Sequence, residues 1–303
     1  MKKYIIWCLI MTLTVPALAC DLCGCSNGGS FFGILPQGHR GFVGLRYRYN
    51  SYHSHLGSQN LSSREQFRTA EIWGRFYPIK RVQVMAFVPY QFSQQTMLKS
   101  GLTTPLQGLS DITVLAHYNV LNTFMDTETS RTINHNLLAG GGVKLATGRF
   151  QYNENSLTDV ANPNFQLGTG STDWISNLIY TARYKNWGLN ADVSYRLTTK
   201  NPDGYRFGNR LNSSASVFYL TSLGSRSLMP NAGLFVEQAG HDSRQGEVNK
   251  QTGGYATYLN LGTEVYLNKL SVGVSYRKPV MQHLSDGELR ANAQLTTHIT
   301  VLF

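Results

Sequence analysis

Past residue 25 the sequence contains no cysteine; all four, at positions 8, 20, 23 and 25 of 303, lie near the N-terminus. The body of the chain is therefore held by no disulfide. Charge is scarce as well. Asp, Glu, Lys and Arg make up 15% of residues, against roughly 25% in an average soluble protein. After the first fifteen residues or so, no apolar run reaches the ~18 residues that a membrane helix needs, and the mean hydropathy is −0.23. The net charge of +10 is dispersed. It comes with no basic helix face, zinc-finger spacing or glycine-rich phosphate loop, which excludes nucleic acid as a partner. Neither HxxEH nor GxSxG occurs, so the common hydrolase strings are missing too.

What is abundant points elsewhere. Aromatics reach 12% and there are 29 glycines, a composition suited to many strands and tight turns. At the N-terminus, Lys2 and Lys3 precede an apolar run from Tyr4 to Val15, followed by Pro16-Ala17-Leu18-Ala19. A positive start, a short apolar core and small residues at −3 and −1 predict a secretory signal over 1–19, with the mature chain starting at Cys20. This predicts a protein outside the cytoplasm.

From His39 onward one pattern recurs: segments of about ten residues alternate apolar and polar, separated by turn residues. In "GFVGLRYRYN", Val43, Leu45, Tyr47 and Tyr49 share a face, with Arg46 and Arg48 opposite. "RVQVMAFVPYQF", "WGLNADVSYRL" and "KLSVGVSYRK" behave alike. Twelve such segments are expected, at 40–52, 66–78, 81–96, 109–121, 134–148, 172–184, 187–199, 208–220, 229–240, 253–267, 269–280 and 287–303. The connections alternate between short (78–81, 185–186, 221–227, 268–269) and long (53–65, 97–108, 149–171, 200–207, 241–252, 281–286). Bacterial barrels have short periplasmic turns and long external loops. One long connection, 122–133, falls on the short-turn side without explanation. The expected fold is all-β: an antiparallel up-and-down transmembrane β-barrel of about twelve strands over 39–303, in the outer membrane of a Gram-negative cell. Aromatics near strand ends (Tyr47, Tyr49 and Tyr52; Trp73, Phe76 and Tyr77; Tyr184 and Trp187) read as interfacial girdles. The last strand, ending at Phe303, resembles the signal read by the barrel assembly machinery.

Two strings in the middle carry a resemblance: "GGGVKLATGRF" (140–150) and "PNFQLGTGSTDWISNLIY" (163–180). They resemble the outer-membrane channel family associated with the meta pathway of phenol degradation. Gly142, Lys144, Thr147 and Gly148 match its G-x-K-x-P-T-G element, with Ala146 in place of proline. Gln166, Leu167, Gly168, Thr169, Gly170, Ser171 and Asp173 match Q-L-G-T-G-S-x-D. The resemblance implies a barrel that moves small, often hydrophobic, compounds, and brings no catalytic residue. Independently of it, Gly140, Gly141 and Gly142 in a strand mark a bend or close backbone approach. Gly168 and Gly170, with Asp173, are candidates for a loop that folds toward the lumen as a gate, or for an ordinary structural turn.

The polar face of each strand supplies the expected lumen: Arg46, Arg48, Glu71, Arg75, His117, Lys144, Arg183, Asp192, Arg196, Arg210, Glu237, Glu264, Arg277, Arg290 and His298. Cations outnumber carboxylates there, which favours passage of small anionic or amphipathic solutes. Mutual ion pairing across a closed interior is the alternative. A barrel-based outer-membrane hydrolase is the competing class, with histidines 53, 55, 117, 135, 241, 283 and 298 as candidates, none of them in a hydrolase motif; the expectation is no enzyme.

Cys20, Cys23 and Cys25 form C-x-x-C-x-C in the segment 20–38, expected on the periplasmic side. Four readings are open: lipidation of Cys20, plain cleavage before it, a Cu or Zn site of thiolates, or a disulfide. The metal reading makes the chain a metal-linked outer-membrane protein. Residues 26–41 then lead into the first strand.

Overall fold

The computed structural model describes residues 41–58, 61–125, 132–151, 163–224 and 226–303. The expected signal and the three cysteines therefore lie outside the described residues. Twelve antiparallel staves close into a barrel. They are β1 (Phe42–Ser54), β2 (Ser63–Ile79), β3 (Val82–Met97), β4 (Thr103–Leu109, resuming as Thr113–Asn122), β5 (Ile133–Lys144) and β6 (Asp173–Tyr184). The round continues with β7 (Trp187–Leu197), β8 (Arg210–Tyr219), β9 (Arg226–Ala239), β10 (Gly254–Leu267), β11 (Leu270–Leu284) and β12 (Leu289–Ala291, resuming as Gln294–Leu302). Each pairs with the next. β12 closes on β1, with Leu45 opposite Ile299 and Arg46 opposite His298. No α-helix occurs among the described residues.

Alternation places one set of side chains inside and the other outside. Leu45, Ile72 and Trp174 are 58%, 55% and 58% exposed, whereas Arg46, Glu71 and Lys144 are 5%, 2% and 2% exposed. A water-soluble barrel would bury the first set and expose the second. With the oily face outside, hydrocarbon must be the solvent, and closure leaves no unpaired strand edge in it. The chain is an outer-membrane β-barrel.

Tight turns at Lys80–Arg81, Lys185–Asn186 and Asn268–Lys269 mark one end, together with the start of β1 and the end of β12, where the Phe303 amide donates to the Gly41 carbonyl at 3.0 Å. Lys185 and Asn268 take φ of 52° and 56° to make those turns. Apart from the one between β4 and β5, which sits at the tight-turn end, the long connections gather at the other end, which is the external one by the usual parity. There a small sheet of Tyr205–Arg206, Asp242–Arg244 and Glu247–Asn249 caps the barrel.

Two staves depart from simple alternation. β4 breaks at 110–112, where Ser110 and Asp111 are buried, and begins several residues earlier than the expected 109. β12 breaks at Asn292–Ala293. Before that break Leu289 and Ala291 are buried and Arg290 is exposed; after it the inward residues are Gln294, Thr296, His298, Thr300 and Leu302. The interruption reverses the parity, so Arg290 faces outward and is not in the lumen. An unbroken period of two carried through the break misplaces it. Tyr52 and Trp73, expected in the aromatic girdle, also turn inward and are buried.

The triple glycine of β5 does what the sequence asked of it. A Cβ on Gly140, Gly141 or Gly142 would collide with the carbonyl oxygens of Ala116, Ile175 and Val114 respectively. Only glycine lets β5 lie so tightly between β4 and β6.

Candidate functional site

The interior is divided. Against β2, β3, β4 and β6 stands an apolar mass of Trp73, Met85, Phe87, Leu115, Ile175 and Ile179, extended by Phe42 and Leu302. A second cluster nearer the external end joins Tyr52, Phe67, Phe165, Phe235 and Tyr258. Phe165 comes from the β5–β6 connection and is fully buried, with its ring 5.7 Å from that of Phe67. The connection thus folds into the barrel mouth: residues 163–169 and 171 are all buried.

A single ion cluster fastens it. Lys144 Nζ, at the end of β5, donates to Asp111 Oδ2 at 2.7 Å and to the Ser171 carbonyl at 2.8 Å, and lies 3.2 Å from Asp173 Oδ2. It also donates to Thr169 Oγ1. Asp111 in turn accepts the amides of Gly148 and Thr169, both at 2.9 Å. Asp173 accepts from Ser171 Oγ at 2.9 Å and from the Thr199 amide at 3.1 Å. All three charged groups are buried, so each satisfies charge the others would otherwise leave uncompensated. Gly168 passes so close to Asp111 that a Cβ would strike its carboxylate, and Gly170 sits at φ +68°. The motif residues of the two strings are therefore a fastening that holds the loop inward.

Asp111 is the residue that sequence reasoning missed. It precedes the resumed half of β4, in "GLSDIT". The interruption of alternation by Gly108, Leu109, Ser110 and Asp111 was the available signal.

Across the barrel the inner wall is looser. On β2, β3, β6 and β7 the inward residues at mid-height are buried throughout. On β1 and β8 to β12, partly exposed inward residues form a polar strip: Arg48, Asn50, Ser214, Asn231, Asn260, Ser275, Arg277, Thr296 and His298. The charged residues of this strip are cationic or histidine; the carboxylates lie buried behind it, each engaged. Glu71 accepts from Arg46 Nε at 2.8 Å and from Arg48 Nη2 at 3.1 Å. Glu237 accepts from Tyr258 at 2.7 Å, Asp192 accepts from Ser214, and Glu264 lies 2.9 Å from His298 Nε2. Arg277 stacks 4.1 Å over Phe235, and Arg46 4.8 Å over Trp73.

The remaining expected lumen residues also sit on the inner face. Arg75, Arg196 and Arg210 are buried, Arg183 is half-buried near the short turns, and His117 bridges Gln83 (3.3 Å) and Asn177 (2.8 Å). Arg290 alone of the set lies outside. The other histidine contacts are structural: His135 meets the Tyr180 hydroxyl at 2.7 Å and His241 meets the Thr252 carbonyl at 2.6 Å. None of these contacts supplies the nucleophile, base and orienting group of a hydrolase. No group of three or more metal-ligating side chains occurs among the described residues.

In the external cap, Asp242 accepts from Tyr205 Oη and from the Gly208 amide, both at 2.6 Å. Burial raises its carboxyl pKa to about 6, against the partial relief of those bonds and of Arg210.

The fold is shared with known barrels. An outer membrane channel from Pseudomonas putida F1 superposes with a TM-score of 0.62 at 13% identity, over 93% of this chain and 100% of that one. The β-domain of the Bordetella autotransporter BrkA gives 0.54 at 11% identity, over 88% and 100%. No protein-family model matches the chain, and no curated protein does. At these identities the likeness is one of fold.

Proposed function

We propose that the protein is a passive channel for small anionic or amphipathic solutes. The polar strip on β1 and β8 to β12 carries this reading: Arg48 and Arg277 are partly exposed on it, while the interior carboxylates are buried and engaged by neighbouring side chains. Cationic linings of a pore attract anions. The stacking of Arg277 on Phe235 places an apolar ring beside a charge, as an amphipathic solute would require. At twelve staves the barrel is wider than the side-chain-filled eight-stranded kind and narrower than an open porin. That size fits a narrow conduit running past the inward loop. The resemblance to the family associated with phenol degradation, which implies small and often hydrophobic cargo, agrees with an amphipathic solute.

Planar-bilayer recording on the refolded protein tests this. Discrete conductance steps, with a reversal potential in a KCl gradient of the sign that marks anion preference, are expected. A protein that inserts but passes neither ions nor small solutes in liposome-swelling assays would overturn the reading.

A further inference from the structure

The reversal of parity in β12 brings Arg290 into a new setting. It lies directly across from His53 on β1, and His53 lies directly across from Arg64 on β2. The row Arg290–His53–Arg64 thus crosses three adjacent staves on the outer surface of the barrel. Arg64 and Arg290 are exposed and His53 is partly so. Arg64 Nε donates to His53 Nε2 at 2.9 Å, so that ring nitrogen carries no proton. Two guanidiniums then flank a neutral imidazole, two strand spacings or roughly 10 Å apart.

Each guanidinium faces His53 rather than a carboxylate, so the row gathers two positive charges on one outer face with an uncharged ring between them. Among the described residues no carboxylate compensates them. Glu65, beside Arg64 in sequence, points inward and is fully buried. Glu288 accepts the Gly57 amide at 2.9 Å, and Asp286 lies 3.6 Å from His283. Among the described residues neither Arg64 nor Arg290 has an ion-pair partner.

The height of the row says what meets it. Four residues below His53, Tyr49 stands across from Leu295 and Arg68 on the outer face, next to the stacked rings of Tyr47 and Phe92, 6.2 Å apart. Below these come Leu45, Ile72 and Ile299, all exposed to the hydrocarbon. Aromatic girdles mark the interface. The row lies about 13 Å further along strands tilted by about 40°, hence about 10 Å above the girdle, at the level of lipid headgroups. Lys278 lies between the two levels on the neighbouring β11, also exposed and outward.

We propose that this face of β11, β12, β1 and β2 binds the phosphate-bearing headgroup of an outer-leaflet glycolipid, with Arg64 and Arg290 as its ligands. Guanidinium forks match phosphate oxygens in pairs, and the acyl chains would lie along the apolar strip beneath. The placement rests on the long loops being external, and is independent of what the lumen conducts.

The test uses native mass spectrometry of the full barrel in a zwitterionic detergent, titrated with diphosphoryl lipid A. One retained lipid A per barrel is expected, and R64Q/R290Q should weaken it about thirtyfold, at roughly fivefold per surface guanidinium. Conductance and heat-modifiable mobility of that variant should match the wild type; if it does not fold, the charge-keeping R64K/R290K is compared with a single R290Q. K80Q/R81Q, at the opposite rim, should bind as tightly as the wild type. Equal binding by R64Q/R290Q, or equal loss in K80Q/R81Q, would overturn the site. So would unchanged affinity for dephosphorylated lipid A. Displacement by millimolar inorganic phosphate would assign the row to the free ion instead, and equal retention of phosphatidylglycerol would overturn the outer-leaflet assignment.

Discussion

The two halves of the barrel wall solve different problems with the same alternating strands. Along β2 to β6 the interior is filled by Trp73, Met85, Phe87, Leu115 and Ile179, β5 is squeezed by three glycines, and the β5–β6 loop is bolted down through Lys144, Asp111 and Asp173. Along β8 to β12 and β1, below the external cluster of Tyr52, Phe235 and Tyr258, many inward residues are polar and partly exposed: Ser214, Asn231, Asn260, Ser275 and Thr296, with Arg48 and Arg277 among them. One half fills its interior with apolar side chains, and the other lines part of its interior with polar ones, where the proposed channel would carry its solute. A twelve-stranded barrel is wider than the eight-stranded kind that its own wall side chains fill, and here an apolar mass and the inward loop occupy part of that width.

Substitutions in the two halves should therefore have unlike consequences. The largest effect is expected at Gly142→Val in the filled half, where a side chain must collide with the Val114 carbonyl. That variant should not reach the heat-modifiable folded band on a cold denaturing gel. Asn231→Ala, in the open half, should reach it normally.

Next comes Lys144→Met, which strands Asp111 and Asp173 as buried, unneutralised carboxylates. A loss of about 3–5 kcal/mol in urea unfolding is expected, with protease cleavage appearing inside 163–171. The single variant Asp111→Asn should cost less, since Lys144 keeps Asp173.

The external cap should respond to pH. The Asp242 carboxyl has a pKa of about 6 when folded, against 3.8 ordinarily. Between those values the folded state holds the proton more tightly, so cap stability is greatest at low pH. It falls as pH rises toward 6, by at most about 3 kcal/mol, and is level above that. Hydrogen exchange at the Gly208 amide, corrected for intrinsic rates, should quicken over that window in the wild type and stay flat in Asp242→Asn.

The mildest change in stability belongs to R48Q/R277Q. It should fold and conduct, with its anion preference moved toward that of a neutral pore. A reversal potential identical to wild type would break the contrast between the two halves, because the open strip would then not be where ions pass.

Period-two alternation together with turn residues was enough to read the stave count, most boundaries within a few residues, and the inward face of fourteen of the fifteen lumen candidates. Those signals are local: each depends only on residues two apart and on the chemistry of a turn. The exception, Arg290, fell beyond an irregularity that no local pattern announces. Tyr52 and Trp73 were misplaced for a related reason. Aromatic residues near a strand end look the same in sequence whether they meet an interface or plug an interior.

The motif strings marked the β5–β6 loop as special, yet the role of Asp111 was not legible, because its partners Lys144 and Thr169 lie 33 and 58 positions away in the chain. By itself, the order of residues determined that this polypeptide must curl into a closed sheet with an oily exterior. Alternation along each strand separates an oily face from a polar one before any strand has met another, and the strand lengths, aromatic strand ends, loop parity and export signal point the oily face outward. Tertiary structure alone decided which inward side chains pack, which pair and which stay wet. That outcome depends on how staves from opposite sides of the circle meet across its interior, a distance over which sequence period carries no information.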